Sequence, residues 1–127
     1  MRLRATCWAL ALFTTLASAA PISSYDSARA AWEKTKDDPA AAAYLKEFIQ
    51  FNNAMKLDSK GGCYSQPGGQ VKLMLLITHD KGERWASVSQ VFSQTDSPKA
   101  QCLQRSYRGV PTKVPPVLPF IVQLDFE

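Results

Sequence analysis

Three cysteines stand in this 127-residue sequence, and the position of the first decides what the other two can do. Cys7 falls in an apolar run from Ala5 to Leu16, preceded by Arg2 and Arg4 and followed by Ala17-Ser18-Ala19. A basic start, a short apolar run and a small-x-small site form the pattern of a secretory signal peptide. The run falls short of the about 20 residues that a membrane span needs. No cysteine stands at the cleavage site to take a lipid, so no stable membrane anchor is expected after processing. Cleavage is expected after Ala19, because a cut one residue later would leave Pro21 directly behind it. The chain then divides into a signal peptide (residues 1–19), a helical segment (20–58) and a second region (59–127). Its expected location is the periplasm of a Gram-negative-type envelope, or outside the cell.

Cys63 and Cys102 remain after processing. An even count in an exported chain reads first as a disulfide. The loop it closes is about 40 residues, for which the chain-entropy relation gives roughly 4 kcal/mol. The competing uses are a metal site or a reactive thiol. His79 is the only histidine, and neither CxxC nor HxxxH spacing is present.

Loss of Arg2 and Arg4 with the leader lowers the formal net charge from +4 to +2. A nearly neutral chain lacks the clustered Lys and Arg of a nucleic-acid binder. Nucleotide-dependent enzymes, channels and coiled-coil rods are excluded on size and composition as well.

Along the chain, Ser23 to Asp26 reads as a loose capping box opening a helix to about Lys36, with Tyr25, Ala28 and Trp32 on one stripe. Asp38 and Pro39 suit the N-cap and first turn of a second helix, to about Leu57. Its apolar stripe is Tyr44, Phe48, Phe51 and Met55, widened by Leu45 and Ile49. Glycines at 61, 62, 68 and 69 end the helical region. Gln70 to Thr78 reads as a strand, with Met74 and Leu76 implying some cover on its second face. Asp80-Lys81-Gly82 is a turn signal. The return strand, Arg84 to Gln94, alternates Ala86, Val88, Gln90 and Phe92 against Trp85, Ser87, Ser89 and Val91. A short helix follows from Lys99 to about Arg108, carrying Ala100, Cys102, Leu103 and Tyr107. Four prolines make Val110 to Pro119 unfit for ordinary helix or sheet. Phe120 to Phe126 closes the chain as a strand, with Phe120, Val122, Leu124 and Phe126 inward. The expected fold is α+β: a helical hairpin, then a three-stranded antiparallel sheet with helices on one face.

Residues for catalysis do not assemble. Ser, Asp and His79 are present without a GxSxG elbow, Asp37-Asp38 reads as a helix stop and start, and no glycine-rich phosphate loop occurs. No cofactor or metal is expected, and no enzyme activity. Trp85 is a candidate anchor for a protein partner, or cover for the sheet. One edge of a three-stranded sheet stays open unless another part of the chain covers it. Ile121, Gln123 and Asp125 of the last strand are candidate partner-binding residues, since an open edge can pair with an extended peptide or a second copy.

Several landmarks come in order from Gly62 onward. They are Cys63-Tyr64, Gly69-Gln70-Val71-Lys72-Leu73, Asp80-Lys81-Gly82, Ala100-Gln101-Cys102-Leu103, Pro115-Pro116 and Pro119-Phe120. This series resembles the TonB C-terminal-like domain family of the AgmX/PglI type. The resemblance implies a TonB-like fold with Cys63 and Cys102 close enough to bridge and the last strand, Phe120 to Phe126, at or near a sheet edge, and a non-enzymatic interaction module of the cell envelope. Energy transducers of that kind keep a membrane anchor and a long proline-rich spacer, which this chain does not show. A second expectation is a small inhibitor or immunity-like protein that inserts the stiff Val110 to Pro119 segment into an enzyme.

Overall fold

The computed structural model describes residues 21–127, apart from the side chains of residues 59–61; the expected signal peptide and its cleavage site lie outside the described residues. The first helix, α1, spans Tyr25–Thr35. Its cap is Ser24, one residue later than the sequence pattern places it. The Ser24 hydroxyl accepts from Ser27 N–H at 3.2 Å, and the Ser27 hydroxyl accepts from Ser24 N–H at 3.0 Å. Serine thus does at the third helical position what the capping box usually assigns to Glu. The second helix, α2, spans Pro39–Met55, with the Asp38 carboxylate accepting from Ala40 N–H at 3.1 Å. It stops before Leu57 because Lys56 enters the left-handed region at φ 51°. A 3-10 helix, Leu57–Ser65, follows and carries Cys63. The third α-helix, α3, spans Pro98–Tyr107 behind the cap Ser97.

The sheet has four antiparallel strands rather than three. These are β1 (Val71–Thr78), β2 (Ala86–Ser93), β3 (Pro111–Thr112) and β4 (Phe120–Phe126), in the order β3-β2-β1-β4. The extra strand lies within the proline-rich stretch. Pro111 has no N–H to donate, which an outer position tolerates and an inner one does not. Val88 N–H to Val110 O at 2.9 Å and Gly109 N–H to Val88 O at 2.8 Å prolong the pairing backwards.

A bulge in β2 corrects the expected alternation of the return strand. Leu76 faces Gln90 and Ile77 faces Val88, so Ser89 is the extra residue. One inserted residue moves everything beyond it to the opposite face. Ala86 and Val88 lie in the main core, and so does Val91, whereas Phe92 packs on the other side.

Helices cover both faces of the sheet, not one. The main core joins Val71, Leu73, Leu75, Ile77, Phe120 and Val122 to Tyr44 and Phe48 of α2 and to Leu103 and Tyr107 of α3. On the opposite face Met74, Leu76 and Ile121 pack against Ala28, Tyr25 and Trp32 of α1. A disulfide between Cys63 and Cys102, Cα atoms 5.3 Å apart, ties the 3-10 helix to α3. Beside it the Tyr107 hydroxyl donates to Asn52 Oδ1 at 2.6 Å, which satisfies the buried amide oxygen.

Candidate functional site

The expected helical hairpin does not form: α1 and α2 lie on opposite faces of the sheet, because each apolar stripe packs on a different face, and together they bracket β4. The first lies on the Ile121 face and the second on the Phe120 face, where the Tyr44 and Phe120 rings meet edge-on at 4.9 Å. β4 itself is the outer strand, paired with β1 alone.

The direction of its free backbone groups follows from two bonds on the far side of β1. Gln94 N–H donates to Lys72 O, and the Ser89 hydroxyl to Leu76 O, each at 3.2 Å. Even-numbered residues of β1 therefore turn their backbone groups toward β2. Because these directions alternate along a strand, Leu73, Leu75 and Ile77 bond toward β4, at Leu124, Val122 and Phe120. Ile121, Gln123 and Asp125 are left pointing N–H and C=O away from the sheet. Among the described residues, nothing else in the backbone pairs with them.

A groove of about 330 Å³ runs along part of this edge. Its floor is Phe120 to Gln123, and its walls are Trp32 and Thr35 of α1, the C-cap Lys36, and Ala41, Leu45, Lys46 and Ile49 of α2. Ile49 is 40% exposed there, an apolar side chain facing solvent rather than core. The charges on the groove are Lys36 and Lys46. Lys36 pairs with Glu33 at 2.8 Å, which depresses the Glu33 carboxyl below its usual range through the bond to the ammonium.

The sequence-derived candidates separate. Ile121 and Gln123 line this groove, but the Ile121 side chain is buried under α1, so only its backbone is on offer. Gln123 donates its side-chain amide to the Asp125 carboxylate at 3.2 Å, and Asp125 stands beyond the groove lining. Trp85 sits elsewhere. It is 51% exposed on a second groove, of about 570 Å³, on the other flank of α2. Sequence reasoning missed Trp32, Leu45 and Ile49 as groove residues, having assigned all three to packing stripes. The available signal was Ile49, which lies off the Tyr44-Phe48-Phe51 line.

Comparison with family models, with curated proteins and with solved structures finds no match to this chain. The geometry stands alone. Among the described residues no three His, Cys, Asp or Glu side chains gather as metal ligands, and no helix is long and apolar enough to cross a membrane. His79 donates through Nε2 to Glu83 O at 2.6 Å across the Asp80–Glu83 turn, a bond that stiffens the β1–β2 connection. Both thiols that might have reacted are spent in the disulfide.

Proposed function

We propose that this protein is a non-enzymatic, exported interaction module of the cell envelope that takes an extended peptide as a fifth strand against β4. The supporting observation is the row of outward backbone groups at Ile121, Gln123 and Asp125, of which the first two border an apolar groove. Main-chain bonds along such an edge supply affinity, and alternate side chains of the added strand read the pocket beside it. Trp32, Leu45 and Ile49 suit an apolar residue, and Lys46 suits an acidic neighbour in the same peptide. Helices on both faces of β4 leave room for a single strand more readily than for the edge of another sheet. The resemblance to TonB C-terminal-like domains, and export by the leader at residues 1–19, belong to the same proposal.

A second reading is a small inhibitor acting through the crossing segment 113–119. Val114, Val117 and Leu118 are 44%, 50% and 43% exposed on it, while Pro115 is buried and Tyr44 donates to Lys113 O at 2.8 Å. A stiff support under exposed aliphatic residues is what an inserted loop needs. Affinity capture from periplasmic extract with two variants separates the readings. Loss of the captured partner in Gln123→Pro, with retention in Val117→Ser/Leu118→Ser, supports strand addition. The reverse pattern supports the inhibitor, and refutes the edge.

A further inference from the structure

The second groove is a different kind of place from the first. Tyr44, Phe48 and Phe51 of α2 face Trp85 and Pro111 across about 570 Å³, a volume in the range of small-molecule sites. The groove borders no free sheet edge of comparable length, since β3 has only two residues. Tyr44 and Phe48 are buried and form its aromatic floor, while Phe51 and the 51% exposed Trp85 offer ring surface for stacking.

The polar groups on the lining say what such a ligand lacks. The Tyr44 and Thr112 hydroxyls bond each other at 2.9 Å, and Tyr44 also donates to Lys113 O. Glu47 and Lys113 face each other at 3.0 Å, so the only two charges on the lining cancel locally. No unpaired charge stands on the lining itself; the Arg84 guanidinium lies outside it, against the Trp85 ring. A ligand rich in hydroxyls finds the inner hydrogen-bonding groups already satisfied, with the exposed Gln50 amide as the remaining side chain. Burying unmatched polar groups against aromatic walls is costly. We infer that the groove between α2 and β2–β3 is a binding site for an uncharged, flat, largely apolar molecule of about the size of a few joined rings. Trp85 is its outer wall, with the Arg84 guanidinium 5.2 Å from the ring centroid.

Two probes with one skeleton test this. N-phenyl-1-naphthylamine is uncharged, and 1-anilinonaphthalene-8-sulfonate adds an anion to nearly the same frame. Fluorescence titration of the protein should show saturable binding of the uncharged probe, at least tenfold tighter than the sulfonate. Trp85→Ala should weaken the uncharged probe at least tenfold, and Trp32→Ala, in the other groove, should leave it unchanged. Glu47→Ala, at an exposed helix position, frees the Lys113 charge and should narrow the preference between the probes. Equal binding of both probes by the unaltered protein overturns the inference, as does loss of binding in Trp32→Ala with retention in Trp85→Ala. If Trp85→Ala lowers the melting temperature, the Glu47→Ala comparison decides: an unchanged preference overturns the inference.

Discussion

The two edges of the sheet are built in opposite ways. At one edge β3 is two residues long, begins with a proline and is held from behind by Tyr44. At the other β4 runs for seven residues, with every second backbone unit turned outward. Natural proteins blunt edges with short strands and proline because an open edge invites pairing. Here one edge is blunted and its opposite is left long, with a groove beside it. The contrast shows that leaving β4 open is not a limit of the fold, since the same chain closes the other side.

The largest expected effect touches both edges alike. Replacing Cys63 and Cys102 with alanine releases the 3-10 helix from α3 and should cost about 4 kcal/mol in thermal unfolding, for a sequence separation of 39 residues. Faster amide exchange confined to one edge, with the rest of the sheet unchanged, would show that the disulfide supports only part of the fold. Next comes Val122→Pro, which deletes an inward N–H of β4. It leaves the Leu75 carbonyl unpaired in the core and should cost roughly 3 kcal/mol once the lost packing is added. Tyr44→Phe should cost about 1–2 kcal/mol and loosen the β3 side, seen as faster amide exchange at Thr112 with the β4 ladder unchanged.

Gln123→Pro carries the comparison most directly, because it differs from Val122→Pro by one position. It deletes an outward N–H, so its melting temperature should move by the equivalent of about 1 kcal/mol or less, while peptide binding falls about tenfold. Equal destabilisation by the two prolines would place the Gln123 N–H in the β1 ladder. The smallest effect is alkaline. Burial raises the Tyr44 hydroxyl above its ordinary 10.0, with the Thr112 hydrogen bond opposing it. Stability from the neutral phenol is therefore complete below about pH 10 and is lost as the pH rises through the higher folded value. Amides at Thr112 should lose protection in that window before those of β4 do.

Much of this fold could be read from residue pattern. Asp38-Pro39 and Ser97-Pro98 marked helix starts, the Tyr25, Ala28, Trp32 stripe marked a buried face, and β4 alternated as expected. Three things could not be read, each for a physical reason. A stripe states that a helix has an apolar face but not which side of the sheet receives it, so the pattern of α1 does not distinguish the far face from the one that α2 and α3 cover. Counting in twos along β2 cannot register one extra residue, so Ser89 passed unnoticed and Val91 and Phe92 exchanged faces. Pro111 argued against sheet in general, although it argues only against an inner strand. The grooves were further out of reach. Trp32, Ile49 and Ile121 line one groove only because α1 and α2 bracket β4, and no local pattern joins residues that distant.

That bracketing also governs when the structure can exist. A chain is made from its N-terminus, so α1 and α2 appear first, yet the strand that lies between them is the last seven-residue element to emerge. Until then Ile121 is missing from the far-side cluster and Phe120 from the ring contact with Tyr44. Contacts that join the first and last parts of a chain close the longest loop and form slowly. A partly made chain therefore holds two helical segments, of 11 and 17 residues, whose apolar stripes still lack the strand they pack on. The bracketed packing of β4 is complete only once Phe120 to Phe126 is in place between the two helices.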